Sequence, residues 1–235
     1  MSTNPLTTLP ELPATADAGD ILRAGLDAVT GPVALACSFS REDIVLIDML
    51  QQHNREVRIF ALDTGRLNEE TLEIAETIRL RYEMEIDWYF PERTEVEQME
   101  REKGLFSFRD SLENRHQCCH IRKVEPLRRA LQGLAGWITG QRRVHGMTRG
   151  ELQPLEIDQA NGGILKLNPL VYWSDEQVED YIRRQRLPVN RLYLQGYQSI
   201  GCAPCTRAVA PGDDPRSGRW WWESPEHKEC GLHRR

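Results

Sequence analysis

The sequence contains no apolar run long enough to span a bilayer. It opens without a basic n-region or an apolar h-region, so no secretory signal is read there. A cytoplasmic protein with no membrane partner is expected. A basic excess is also missing: 30 Lys and Arg stand against 36 Asp and Glu, a formal net charge of −6. Nucleic-acid surfaces rest on clustered cations, so no nucleic-acid partner is expected. The signature G-x-x-x-x-G-K-[ST] does not occur, which excludes a P-loop. There is no internal repeat and no low-complexity block, so a repeat array is not expected. Cysteine is sparse, with 6 residues. Without an export signal these read as reduced thiols, metal ligands or catalytic groups, not as a disulfide framework.

What is present is an ordinary globular balance over 235 residues, 40% hydrophobic and 28% charged. That length suffices for one large α/β domain. Residues 1–20 read as a loosely ordered leader, 21–210 as the domain and 211–235 as a C-terminal tail. "ILRAGLDAV" (21–29) has helical spacing, and "PVALACSF" (32–39) is a short apolar run that suits a buried strand. "REDIVLIDMLQQ" (41–52) reads as a helix with an acidic first turn. "VRIFALD" (57–63) and "IDWYF" (86–90) are further strands. "TGRLNEETLEIAETIRLRY" (64–82) is a turn and an amphipathic helix. "TEVEQMEREKG" (94–104) is a helix stopped by glycine, "GWITGQ" (136–141) a strand end, and "SDEQVEDYIRRQ" (174–185) a helix capped by Ser174. Strands alternating with helices predict a mostly parallel, doubly wound sheet. Ligands of such sheets bind beyond the carboxyl ends of the strands.

Three strand ends carry hydroxyls, glycine and helix starts: "SFSRED" (38–43), "LDTGRL" (62–67) and "TGQRR" (139–143). Each alone is consistent with plain strand-to-helix turn chemistry. Together with Arg142 and Arg143 they point to an anionic nucleotide.

The cysteines read as one system. Cys118 and Cys119 are adjacent, and their Cα atoms, about 3.8 Å apart, are too close for a relaxed disulfide. Downstream, Cys202 and Cys205 form a C-x-x-C. Four thiolates in this arrangement suit zinc or an iron–sulfur cluster. Zinc sites usually space both pairs, so the adjacent pair favours a cluster, whose separate iron corners can each take one thiolate. Cys37 lies inside an apolar run and reads as a small buried hydrophobe. Cys230, in "HKECGLHRR", has Lys228, Arg234 and Arg235 nearby. It is either an activated thiolate nucleophile or an incidental tail cysteine.

"LDTGRL" (62–67), "KGLFSF" (103–108), "CCHIRKVEPL" (118–127), "TGQRR" (139–143), "IGCAPCTR" (200–207), "GRWWWE" (218–223) and "HKECGLH" (227–233) occur in this order. Together they resemble the phosphoadenylyl-sulfate (PAPS) reductase family, and within it the iron–sulfur branch of assimilatory adenylyl-sulfate (APS) reductases. The resemblance implies an adenine nucleotide α-hydrolase-like fold of the pyrophosphatase-loop type. It implies that Cys118, Cys119, Cys202 and Cys205 bind one 4Fe-4S cluster, that Cys230 is the nucleophile, and that Lys123 lies between cluster and substrate. By the same resemblance, Arg216 and Arg219 contact sulfate and phosphate, and His233 follows the nucleophile as a catalytic residue. The resemblance also implies that Ser38, Ser40 and Leu62 meet the nucleotide and that Arg149 lies on its phosphate side.

The implied activity is reduction of APS to sulfite and AMP through a cysteine S-sulfo intermediate, with thioredoxin or a similar dithiol protein as reductant. A thiolate attacking an anion needs cations around the reacting sulfur. Lys123, Arg142, Arg143, Arg216 and Arg219 are the available supply. The alternative within the family is a reductase of PAPS, with or without APS, for which the 3′-phosphate needs its own cation. Outside it stand a pyrophosphatase-loop tRNA-thiolation enzyme, opposed by the net charge of −6 and the "ECGLH" tail, and a zinc-stapled binding module. The sequence leaves a homo-oligomer open.

Overall fold

The computed structural model describes residues 9–13, 15–53, 55–145 and 151–224. Its first helix, α1 (Ala18–Ala28), starts inside the stretch read as a leader. A capping box between Asp17 and Asp20 fixes that start. Strand β1 (Val33–Cys37) follows, then α2 (Arg41–Leu50), β2 (Arg58–Leu62), α3 (Glu69–Arg81), β3 (Asp87–Tyr89) and α4 (Arg93–Lys103). Helix α4 ends at Gly104, whose φ of 86° suits glycine. Next come α5 (Leu112–Cys119), a π-turn over His120–Val124, α6 (Glu125–Ala130) and β4 (Gly136–Ile138). Strands β5 (Leu155–Asp158) and β6 (Ile164–Leu167) precede the last helix, α7 (Asp175–Gln185). Ser174 caps α7 through a capping box with Gln177.

The strands form one sheet in the order β3-β2-β1-β4-β6-β5. All neighbours pair parallel except β5 with β6. The mostly parallel sheet expected from strand–helix alternation is therefore present, with an antiparallel hairpin at one edge. Strand β1 is buried along nearly its whole length, as a strand covered on both faces must be. Ile44, Val45, Leu46 and Ile47 of α2 are 0% exposed and pack with α1 and α7 against one face. Leu127, Ala130 and Leu131 of the α6 region pack with Phe60 and Trp137 on the other.

Strand order reverses at β1, which pairs with β2 on one side and β4 on the other. The crevice beyond the carboxyl ends of such strands is where α/β sheets bind ligands. Among the described residues, no helix is long and apolar enough to cross a membrane.

Candidate active site

A cavity of about 340 Å³ opens at that crevice. The turns after β1, β2 and β4 line it with Ser38 to Asp43, Leu62 and Thr64, and Thr139 to Gln141. Asp43 organises the first turn. Its Oδ2 accepts from the Ser38 N–H (2.7 Å), the Ser38 hydroxyl (2.7 Å) and the Ser40 N–H (3.3 Å). Burial pushes the Asp43 carboxyl up to about 6, against the opposing pull of the Ser38 hydrogen bonds. Phe39, between the serines, is held at φ 59°, a strained value for a non-glycine residue. Its ring stacks on Trp88 with centroids 5.8 Å apart. Gly140 completes the contact between turns, since a Cβ there would lie 2.6 Å from Asp43 Oδ1.

A smaller cavity adjoins it. All four expected ligands, Cys118, Cys119, Cys202 and Cys205, line this space together with Arg66, Arg115 and Arg122. Lys123, Cys202, Arg219 and Trp220 border both cavities. No three His, Cys, Asp or Glu side chains among the described residues are set as ligands of a single metal ion.

The adjacent cysteines end helix α5, and the chain passes at once into the π-turn that carries Lys123. Neighbouring residues of a regular α-helix point about 100° apart. The wider π-turn, a form common at functional sites, is the local departure from that geometry. The opposite side is the turn Ala203–Cys205. It is tied to the end of β2: Ala203 N–H donates to Arg66 O (2.8 Å), and Thr64 Oγ1 lies 3.4 Å from Cys202 Sγ. Arg122 bridges the two sides, donating to Thr64 O (2.7 Å) and to Glu100 Oε1 (2.5 Å).

This setting separates the thiols. Burial pushes up Cys118, and it pushes Cys205 up to about 12 with help from the neighbouring cysteines. Burial also raises Cys202, but Lys123, the Thr64 hydroxyl, Arg219 and Arg122 together outweigh it and hold that thiol below its ordinary value. Arg122 Nε and Trp220 Nε1, on the wall of the cysteine cavity, are buried nitrogens without a hydrogen-bond partner among the described residues. Soft thiolate donors beside unsatisfied N–H groups fit a buried group that bears accepting sulfur.

Of the residues singled out from sequence, Ser38, Ser40, Leu62, Lys123, Arg216 and Arg219 line the larger cavity. Arg142 and Arg143 do not. Arg142 is 1% exposed and is engaged by Glu42 (2.7 Å), Asp175 (2.5 Å) and Trp173 O (3.0 Å). It ties α2 to α7 instead of facing a ligand. Arg143 donates to Leu152 O (2.8 Å) and lies over the Tyr172 ring. Arg149, Cys230 and His233 lie outside the described residues. Cys37, expected in the core, is 5% exposed, and burial drives its thiol well above the ordinary range.

Asp43, Thr64, Arg115, Arg122 and Trp220 belong to the site without being among the residues expected from sequence. Asp43 was legible as the N3 partner of a Ser40 capping box. The others act through contacts between distant segments that no local pattern carries. Part of the segment read as tail is built into this site: Arg219 and Trp220 are 7% and 1% exposed, and Trp220 N–H donates to Cys205 O (3.1 Å).

The family described as phosphoadenosine phosphosulfate reductase domain matches residues 32–208. The adenosine 5′-phosphosulfate reductase of Burkholderia cepacia is 47% identical over 234 residues, 99% of this chain and 93% of that protein. The protein of that name from Allochromatium vinosum is 49% identical over 203 residues, covering 86% and 79%. A crystal structure of phosphoadenylyl-sulfate (PAPS) reductase from Candida auris, a phosphate complex, matches with TM-score 0.68 at 26% identity, covering 83% of this chain and 91% of that one. The mostly parallel sheet is thus the adenine nucleotide α-hydrolase-like fold. With a match over most of its length and close relatives aligned nearly end to end, the chain belongs to the phosphoadenosine phosphosulfate reductase domain family.

Proposed function

We propose that this protein reduces adenylyl sulfate to sulfite and AMP, with a dithiol protein of the thioredoxin type as reductant. The observation that supports this reading is the wall shared by the two cavities, where Lys123, Cys202, Arg219 and Trp220 meet. One cavity has the size and turn chemistry for a nucleotide, and the other gathers four cysteines. The cations between them supply the charge that an anionic group at the end of a nucleotide requires.

Cys118, Cys119, Cys202 and Cys205 would hold one 4Fe-4S cluster. When bound, that group supplies an electrostatic and structural brace between helix α5 and the Ala203–Cys205 turn. The chain's own residues do the rest. Ser38, Ser40, Leu62 and Gly140 bound the nucleotide space at the strand ends. Lys123, Arg216 and Arg219 offset the negative charge of the sulfate and phosphate as they are attacked. The Cys230 thiolate attacks the sulfate sulfur, the S–O bond to phosphate breaks, and AMP leaves. The enzyme then carries an S-sulfocysteine. A thiolate of the reductant attacks the Cys230 sulfur and sulfite departs with the S–S bonding pair. The second reductant thiol resolves the mixed disulfide, so the dithiol supplies both electrons. His233, three residues after Cys230, is the further catalytic residue of this reading. Cytoplasmic location is the setting in which such a dithiol and free thiols coexist.

The test is sulfite release from APS by anaerobically purified protein with reduced thioredoxin, beside its iron and sulfide content. Turnover on APS and not PAPS supports the reading. Turnover on PAPS alone, or none on either, overturns it.

A further inference from the structure

Arg115 and Glu223 form a buried pair far apart in sequence, with side chains 1% and 9% exposed. Arg115 Nε donates to Glu223 Oε1 (2.9 Å) and Nη2 to Oε2 (3.0 Å), a two-pronged match of guanidinium to carboxylate. The same guanidinium lies 4.7 Å from the centroid of the Trp220 ring. Trp220 holds φ 40°, and Glu223 N–H closes a turn onto Trp220 O (2.8 Å). One arginine of α5 therefore grips both ends of the Trp220–Glu223 turn.

Its position gives the grip a purpose. Arg115 stands one helical turn before Cys118 and Cys119 on the same helix, so the three share a face. Trp220 and Arg219 border both cavities. Beyond Glu223 runs the stretch that carries Cys230. A buried ion pair is a poor choice for stability alone, because apolar residues of similar volume often serve as well or better. What the fork adds is a fixed geometry.

We propose that Arg115 and Glu223 are positioning residues: their fork fixes the Trp220–Glu223 turn against the cysteine-bearing helix, and so holds Trp220 and Arg219 in place on the wall shared by the two cavities. This rests on the reading of Cys230 as nucleophile. Freeing the turn loosens Trp220 and its neighbour Arg219 at the shared wall. Misplacement of about 1 Å at a reacting centre can cost up to about a hundredfold.

The test is the single-turnover rate at which APS, without reductant, places a sulfonate on Cys230. The paired variant Arg115→Met with Glu223→Leu fills the site with apolar volume and removes the fork. It is expected to keep its melting temperature, iron content and AMP affinity, and to form the sulfo-enzyme about tenfold or more slowly. Hydrogen exchange at the Trp220 and Glu223 amides should rise with it. Glu223→Gln, which keeps shape and loses charge, should slow the same step and decides the matter if the paired variant does not fold. Sulfonation at the wild-type rate in a folded variant overturns the clamp and leaves the proposed reaction intact. Absence of label on wild-type Cys230 overturns the proposed reaction and the clamp with it.

Discussion

Thr64 Oγ1 lies 3.4 Å from Cys202 Sγ, so the turn that ends β2 touches the larger cavity and the cysteine cavity at once. Arg122 reinforces the joint by donating to the carbonyl of the same threonine. The two cavities are therefore parts of one site, and changes in either should be felt in the other.

Serine in place of Cys118, Cys119, Cys202 or Cys205 should abolish iron binding and most activity, because thiolate ligation is what holds an iron–sulfur cluster. Iron and sulfide analysis of anaerobically purified variants reads the outcome. Full iron content in two or more of them refutes the ligand set.

Lys123→Ala should slow formation of the sulfo-enzyme about 10²–10³-fold while changing stability little. Lys123 lies on the wall common to both cavities, where the proposed reaction puts the anion. Quenched single-turnover labelling gives the rate. An unchanged rate with lowered stability would make Lys123 a structural residue.

Arg142→Leu should destabilise the fold by about 3–5 kcal/mol, because it leaves Glu42 buried without its cation. AMP affinity, measured under conditions where the variant stays folded, should change little. Loss of AMP binding with unchanged denaturant midpoint would return Arg142 to the substrate.

This arginine shows what the sequence could and could not yield. "TGQRR" was legible as a strand end pointing to a nucleotide, because hydroxyl, glycine and turn position are local features. Whether Arg142 faced the cavity or the frame was set by Glu42 and Asp175, on other elements. The same division holds for the fold. Helices α2, α3, α4 and α7 carried capping residues, periodicity or a terminal glycine, and the expected ranges agree to within a few residues. The edge hairpin was passed over although Gly162 and Gly163, at φ 82° and 74°, stand between its strands as a turn signal. The four cysteines were legible as a set from spacing alone. The π-turn that accompanies the adjacent pair was not, since it answers to packing around the pair and not to residue type.

Asp43 gives a pH prediction. Its folded value of about 6 lies above the ordinary 3.8, so the folded protein holds a proton that the unfolded chain releases. The stability it contributes is full below the unfolded value and is lost as pH rises through about 6. The whole span is worth ~3 kcal/mol. Roughly 1 kcal/mol of it should appear between about pH 7 and pH 5 as a gain of wild type over Asp43→Asn in denaturant unfolding. A difference that stays flat over that range contradicts the burial argument.

The central claim is that a tail thiolate takes the sulfonate from APS before any reductant acts. Mass spectrometry of the anaerobically purified enzyme, treated with APS alone, tests it most directly. The account predicts a protein heavier by one sulfonate group, mapped to the peptide of Cys230, with AMP released in equal amount and the label discharged as sulfite by reduced thioredoxin. A label on Cys37, no label at all, or steady sulfite production by Cys230→Ser would contradict it.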